Sequence, residues 1–121
     1  MFVLAKAFKQ SGADVIIKEL IEDDEIVYGG YSAGACILAP NLHGIELVDD
    51  VQAKAENYSD DTEWQGMGIL PYSIAPHYLS DHPESEAIND SVNYFIENHM
   101  PFVALKDGQA IIIQNSNTRY L

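Results

Sequence analysis

The sequence has a single cysteine, Cys36, and few basic residues. One cysteine cannot close an intrachain disulfide, and it has no cysteine companion for a metal-binding knuckle. Lysine and arginine together number 6 against 19 aspartates and glutamates, which gives a formal net charge of −13. Because a field of this sign repels phosphate backbones and anionic lipid headgroups, neither nucleic acid nor a membrane surface is an expected partner.

Long apolar runs are also missing from the chain. No stretch approaches the roughly 20 apolar residues that cross a bilayer, and residues 1–6 lack the order of a secretory signal, in which positive charge precedes the apolar stretch. Together with the lone cysteine, these absences predict a cytoplasmic protein. The 121 residues, of which 47% are hydrophobic, suffice for one domain with its own core.

Helical and strand patterns alternate along this chain. Apolar spacing predicts a first helix over 2–8, which ends at Ser11-Gly12, and a second helix over 15–21 with Asp14 as its N-cap. Further along, the sequence predicts a strand over 26–30, a helix over 33–39, a short strand over 45–48, a strand over 72–75, a helix over 84–98, and a hairpin that joins 102–105 to 110–113 through Asp107-Gly108.

This order of elements predicts an α/β fold in which a mainly parallel sheet is flanked by helices, with one antiparallel hairpin at the C-terminal end. In open parallel sheets, residues at the carboxyl ends of the strands converge on ligands. Residues that follow a predicted strand are therefore the first candidates for a functional site.

The strongest local motif is Gly-Tyr-Ser-Ala-Gly at residues 30–34, between a predicted strand and a predicted helix. This G-x-S-x-G pattern is typical of a tight strand-to-helix turn that exposes the serine hydroxyl, here that of Ser32, as a nucleophile. The alternative interpretation is a glycine-rich turn in which Ser32 only caps the following helix. The motif alone does not decide between the two.

A serine nucleophile requires a base within hydrogen-bond reach. Of the four histidines, His77 is the best candidate, because it follows Pro76 at the end of a predicted strand. His43 lies in a predicted loop and His82 in a polar turn, so both are expected to be structural or surface residues. His99 falls on the apolar face of the helix over 84–98, where we expect a packed residue.

The base in turn requires a carboxylate that fixes its tautomer. Asp107 and the pair Asp49 and Asp50 are the candidates, although an aspartate before a glycine is also ordinary turn chemistry and the pair could be a solvated strand end. Spacing does not choose among them, since triads occur in several chain orders. Cys36 is predicted to be a buried, inert thiol on the packed face of its helix.

Three segments, residues 27–35, 66–71 and 75–78, together resemble the peptidase E (aspartyl dipeptidase) family of serine peptidases, which includes cyanophycinases. The resemblance extends over nearly the whole chain. It implies a three-layer, flavodoxin-like fold similar to that of class I glutamine amidotransferases. It also implies a serine-type peptidase that hydrolyses small, dipeptide-like substrates without a metal or another cofactor.

The resemblance assigns roles to particular residues. It implies Ser32 as the nucleophile, His77 as the general base and the backbone N–H of Ala33 as an oxyanion donor. Asp107 falls where the family carries its acidic third member, usually a glutamate. The pair at 49–50 falls on a second acidic position near the site.

This sequence departs from the family in two ways. The family places several strands and a Gly-Gly-Gly-Asn-type loop before the helix that begins here near Phe2, which implies that residues 1–121 form a single peptidase E-like domain lacking those strands. The family's aspartyl dipeptidases also carry arginines after the histidine, whereas residues 84–88 contain none. A preference for small peptides in general, rather than for N-terminal aspartate, is therefore expected.

Two further interpretations stay open. An incomplete sheet would expose an unpaired edge, so the chain could be a non-catalytic domain that acts by self-association, as a homo-oligomer. Alternatively, it could be an α/β-hydrolase esterase with Ser32, Asp50 and His77 as its triad, although the chain is short for that fold.

Overall fold

The computed structural model describes all residues, 1–121, as helices, short strands and connecting loops. The elements are α1 (Phe2–Ser11), α2 (Ala13–Glu22), α3 (Ala33–Cys36), a 3₁₀-helix (Ile45–Leu47), β1 (Ser73–Ala75), α4 (Ser85–Glu97), β2 (Phe102–Ala104), β3 (Ile111–Gln114) and β4 (Asn117–Tyr120). None of these helices has the length and apolar character that crossing a membrane requires.

The strands form one parallel and one antiparallel pair. In the parallel pair, Ser73 of β1 lies opposite Phe102 of β2, and Ala75 lies opposite Ala104. Strands β3 and β4 pair as an antiparallel hairpin at the C-terminus. The predicted α/β class, with a parallel sheet, flanking helices and a C-terminal hairpin, is confirmed.

The hairpin nevertheless joins β3 to β4, and not the segments 102–105 and 110–113 that the sequence predicted. Residues 102–104 pair with β1 and not with 110–113, because the apolar β2 joins the sheet against the core. The turn at Asp107-Gly108 closes locally, where the N–H of Gln109 donates to the Lys106 carbonyl at 3.0 Å. The observed hairpin turns at Asn115 and Ser116, whose φ angles of 50° and 64° suit a two-residue turn.

The helices predicted over 2–8 and 84–98 are confirmed. Helix α1 ends at Gly12, whose φ of 76° places it in the left-handed region that glycine tolerates. Helix α4 occupies almost the whole of the predicted 84–98 range. The prediction of Asp14 as N-cap is wrong, because Gly12 ends α1 and at once begins α2, which leaves Asp14 inside the first turn.

Of three short predictions in the middle of the chain, two are wrong and one is confirmed only over its first turn. Residues 26–30 form no strand, since no neighbouring strand pairs with them, and Val27 is 99% exposed. The helix at 33–39 ends at Cys36, because the carbonyls of Ile37 and Leu38 accept hydrogen bonds from the 67–70 loop. The strand at 45–48 is a 3₁₀-helix, and such short apolar runs carry no clear period.

The core lies between α1, α3, α4 and the parallel pair. Its fully buried side chains include Phe2, Ile37, Leu42, Ile88 and Phe95. Gly44 packs so closely that an added Cβ would lie 2.5 Å from the Phe95 ring. This core fixes α3 beside β1, and it thereby fixes the serine turn beside the carboxyl end of the sheet.

Candidate active site

The parallel register brings two predicted site residues to the same edge of the sheet. His77 follows the last residue of β1 by two positions, and Asp107 follows the last residue of β2 by three. The strands stay paired just beyond their ends, since the N–H of Tyr78 donates to the Leu105 carbonyl at 2.9 Å. Two residues that lie far apart in sequence therefore emerge side by side.

His77 and Asp107 are in direct contact. The Nδ1 of His77 lies 2.6 Å from the Oδ1 of Asp107. The histidine side chain is only 14% exposed and that of the aspartate is 48% exposed. An ionised carboxylate accepts hydrogen bonds only, so the contact places a proton on Nδ1 and leaves the Nε2 of neutral His77 with a lone pair.

Backbone geometry holds both residues in place. His77 has a φ of 60°, which is uncommon for a residue with a side chain. The N–H of Asp107 donates to the hydroxyl of Ser80 at 2.8 Å, and that hydroxyl lies 3.2 Å from the Tyr78 carbonyl, to which it donates. The turn after β1 thus holds the backbone of Asp107 after β2.

Ser32 lies in a strained turn at the start of α3. Its φ of 49° and ψ of −123° are values that glycine adopts far more readily than serine. Gly30 permits the tight turn, because a Cβ there would lie 2.5 Å from the Gly34 carbonyl oxygen. The Ser32 side chain makes no capping hydrogen bond, so the interpretation of Ser32 as a helix cap lacks the bond that would define it.

A cavity of about 220 Å³ opens beside this turn. Its lining includes Ser32, Ala33, Pro76, Asp49 and Glu84. Pro76 directly precedes His77, so the serine turn and the end of β1 border the same space. The Nε2 of His77 is buried and has no hydrogen-bond partner, hence Ser32 and His77 are not hydrogen-bonded in this structure.

The other acidic candidates lie apart from the histidine contact. Asp49 lines the cavity and forms an ion pair with the N-terminal ammonium of Met1. Asp50 is exposed, and its carboxylate accepts the N–H of Gln52 at 2.8 Å. Because His77 contacts Asp107, the arrangement of an α/β-hydrolase triad through Asp50 is not formed.

The remaining histidines occupy three different environments. His43 is exposed and stacks on Trp64 with ring centroids 4.7 Å apart. His99 is also exposed and lies beyond the end of α4 with a φ of 53°, so its predicted place on the apolar helix face is wrong. His82 stacks on His77, with centroids 3.6 Å apart and ring planes 5° from parallel.

Cys36 lies behind the serine turn and is 5% exposed, which confirms the predicted burial. Its thiol donates to the Ile74 carbonyl of β1 at a distance of 3.5 Å. Burial raises the pKa of Cys36 to about 12. The thiol therefore stays protonated near neutral pH and is a poor nucleophile.

Sequence reasoning missed the supporting role of the turn between β1 and α4. Ser80, His82 and Glu84 all lie close to His77 or Asp107. The available signal was the cluster of polar residues directly after a predicted strand. Such a cluster is equally typical of an ordinary turn, and nothing in the sequence shows that this turn folds back over the strand end.

The fold is similar to that of a solved structure, a candidate peptidase E protein from Listeria monocytogenes EGD-e. The two superpose with a TM-score of 0.81 at 28% sequence identity, over 99% of this chain and 54% of the other. The structure therefore has the peptidase E fold, which confirms the resemblance seen in the sequence.

The model of peptidase family S51 matches residues 1–121, and the chain belongs to that family. The uncharacterized peptidase Lmo0363 of Listeria monocytogenes is 36% identical over 77 residues, which are 64% of this chain and 35% of the relative. The uncharacterized peptidase PM1590 of Pasteurella multocida is 26% identical over 94% of this chain and 52% of the relative. The chain thus spans about half or less of the length of these relatives.

Proposed function

We propose that this chain carries the catalytic residues of a serine-type peptidase that hydrolyses small peptides. Ser32 is the nucleophile, His77 the general base and Asp107 the acid that orients the base. The observation that carries the proposal is the 2.6 Å contact between His77 and Asp107, at the sheet edge beside the cavity that Ser32 lines.

The chemistry follows from the proton positions at this edge. Asp107 holds a proton on the Nδ1 of His77, so that Nε2 is free to accept the proton of the Ser32 hydroxyl. The serine oxygen attacks the peptide carbonyl, and the protonated His77 then gives its proton to the leaving amine. Water hydrolyses the acyl-enzyme with His77 again as the base.

The negative charge on the carbonyl oxygen needs hydrogen-bond donors in the transition state. The N–H of Ala33 makes no backbone hydrogen bond and lies next to the nucleophile at the start of α3. We assign it as one oxyanion donor. Its neighbours are small, since residues 33–35 are Ala-Gly-Ala, and a substrate can approach this backbone closely.

Ser32 must move closer to His77 for the reaction. Catalytic hydrogen bonds are often long in the absence of substrate and tighten in the complex, and the unpartnered Nε2 of His77 is consistent with this. A substrate that fills the 220 Å³ cavity, which Ser32 and Pro76 line, would displace water beside the nucleophile.

The charges around the cavity bear on substrate choice. Asp49 and Glu84 both place carboxylates at its wall, while Arg119, the only arginine of the chain, lies in the exposed strand β4. The ammonium of Met1, which also lines the cavity, pairs with Asp49, so Glu84 is the carboxylate of the wall that would repel a substrate carboxylate. We therefore propose small peptides without a preference for N-terminal aspartate. The cytoplasmic location stays a prediction from the sequence.

A fluorescent phosphonate that reacts with activated serines tests the proposal. Labelling of the wild type, followed by mass spectrometry, is expected to identify Ser32, and Ser32→Ala is expected to abolish the adduct. Ser116→Ala is the matched control, because it removes an exposed hydroxyl in the hairpin turn, and it should label as the wild type does. A folded wild type that gives no adduct would contradict the assignment.

A second candidate function is self-association without catalysis. It is favoured by the unpaired segment 26–30, where Val27 is 99% exposed, and by Tyr31, which is 88% exposed. An apolar, unpaired backbone segment can pair with a second copy. Light scattering tests this candidate, since a monodisperse monomer at high concentration would contradict it.

A further inference from the structure

The turn between β1 and α4 gathers three side chains that can bind a metal ion. Atoms of His77, His82 and Glu84 that can act as ligands lie within 4.8 Å of one another, and all three residues are half-buried. Two imidazole nitrogens and one carboxylate oxygen form a ligand set that zinc sites use, with water as the fourth ligand. Mg²⁺ and Ca²⁺ prefer oxygen ligands alone and suit this set poorly.

We propose that His77, His82 and Glu84 bind a Zn²⁺-class transition-metal ion, which occupies the Nε2 of His77 and thereby inhibits the enzyme. Metal binding itself does not depend on the proposed function, whereas inhibition rests on the proposed role of His77 as the base. The ion is an inhibitor of the reaction and takes no part in it.

His77 is already arranged as metal-binding histidines are. Its Nδ1 contacts the Asp107 carboxylate at 2.6 Å, and a carboxylate on the far nitrogen fixes the tautomer and raises the basicity of the ligating one. The opposite nitrogen, Nε2, is buried and lacks any hydrogen-bond partner. A cation at this atom would satisfy the lone pair that the chain leaves free.

The distances suit a shared ion, whereas the orientation of the His82 ring must change. In a tetrahedral zinc site, neighbouring ligand atoms lie roughly 3.4 Å apart, compared with an upper limit of 4.8 Å here. The rings of His77 and His82 lie 3.6 Å apart but only 5° from parallel, so their in-plane lone pairs do not yet converge on one point. His82 must leave the stack and turn its ring towards the Nε2 of His77, and Glu84 must adopt a new rotamer.

Metal binding by His82 would break a hydrogen bond that the side chain makes in this structure. Its Nδ1 accepts the N–H of Glu84 at 3.1 Å, which leaves the proton of the neutral ring on Nε2. Ligation through either nitrogen gives up this hydrogen bond. The negative charges of Glu84 and Asp107, in a chain of net charge −13, favour a cation and act in the opposite direction.

Calorimetric titration of the protein with zinc sulfate tests the site without any peptide substrate. We expect saturable binding of one ion to the wild type. His82→Phe keeps a flat ring on His77 but removes the ligand, and Glu84→Gln keeps the shape of the side chain but removes its charge. Each is expected to lower zinc affinity at least about 10-fold. His43→Phe, which makes the same exchange at the exposed histidine on Trp64, should bind as the wild type does.

Cobalt provides a readout that needs no variant. Co²⁺ bound to the wild type should show the intense visible absorption of a four-coordinate ion. The weak spectrum of hydrated Co²⁺, the absence of saturable zinc binding, or equal affinity of all four proteins would each overturn the proposal. Circular dichroism confirms that each variant is folded, and if one unfolds, the other variant and the cobalt spectrum decide.

Hydrolysis measured with increasing zinc separates this proposal from the proposed function. We expect inhibition at the concentration where calorimetry shows occupancy, reversal by a chelator, and at least about 10-fold weaker inhibition of His82→Phe. If the protein binds zinc but hydrolyses no peptide even in zinc-free buffer, the metal site stands and the proposed function is contradicted. Hydrolysis that continues at full occupancy would contradict the inhibitory role.

Discussion

The Nδ1 of His77 and the Oδ1 of Asp107 lie 2.6 Å apart although 30 positions separate the two residues in the chain. The parallel pairing of β1 and β2 produces this contact, because His77 lies two positions and Asp107 three positions beyond the ends of the paired strands. The pair has the geometry in which a carboxylate holds an imidazole in one tautomer. Its contribution to catalysis can be measured separately from its contribution to stability.

Asp107→Asn is expected to lower kcat about 10²- to 10⁴-fold. The amide can donate to the Nδ1 of His77, which moves the ring proton to Nε2 and removes the acceptor that Ser32 needs. Steady-state kinetics on a small peptide substrate measures the effect. Asp50→Asn makes the same charge change at an exposed carboxylate that does not contact His77, and it should leave kcat within about twofold. Equal losses in both variants would contradict the role of Asp107.

Ser32→Gly is expected to abolish phosphonate labelling while making the fold more stable than Ser32→Ala by about 1 kcal/mol. Both variants lack the hydroxyl, but only glycine adopts a φ of 49° and a ψ of −123° without strain. Urea denaturation of the two variants measures the difference in the free energy of unfolding. If Ser32→Ala were equally stable, the turn would not carry the strain that these angles indicate.

The two glycines that flank Ser32 are expected to respond differently to alanine. At Gly30, a Cβ would lie 2.5 Å from the Gly34 carbonyl oxygen and 2.7 Å from its carbon, so the turn must open at a cost of about 1–3 kcal/mol. At Gly34, the nearest atom is the Tyr28 hydroxyl at 3.7 Å, and alanine favours the helix by up to about 1 kcal/mol. Thermal or urea unfolding of the two variants checks this contrast, and a destabilised Gly34→Ala would contradict it.

Because of Cys36, the free energy of unfolding is expected to decrease as the pH rises in the alkaline range. Burial raises the pKa of its thiol from 9.0 to about 12, so the unfolded chain loses this proton at lower pH than the folded chain does. The stability that this difference contributes is complete below pH 9 and is lost as pH rises from 9 towards 12. The loss approaches about 1.4 kcal/mol per pH unit.

Urea unfolding of the wild type and of Cys36→Ala at several pH values between 8 and 11 isolates this effect. Tyr28 and Tyr72, whose pKa values are also raised by burial, contribute equally to both proteins. The difference in unfolding free energy should shift steadily against the wild type above pH 9. A constant difference over this range would show that the thiol titrates normally.

The sequence predicted the elements whose signals are local. The end of α1 at Gly12 follows from the backbone freedom of glycine, and α4 follows from a long apolar period. Pairing between distant strands has no local signal. For this reason the sequence predicts a hairpin at residues 102–104, whereas in the structure they run parallel to β1.

The candidate site likewise combines residues that have a local sequence signal with contacts that have none. Ser32 and His77 were predicted from residue type and from their place after a strand, and Asp107 remained one of three acidic candidates until the resemblance favoured it. The stacking of His82 on His77 was not predicted. It depends on how the turn after β1 folds back, which is a property of the three-dimensional path and not of the turn's composition.

Both members of the histidine and aspartate contact extend from a sheet of only two strands with three residues each. All three residues of β1 are nevertheless buried, and Ala75 belongs to the hydrophobic core. A ladder with this much buried surface opens only when the core around it unfolds. If the proposed function holds, heating would therefore abolish hydrolysis and the folded state together, because the same packing that stabilises the protein also aligns the two side chains.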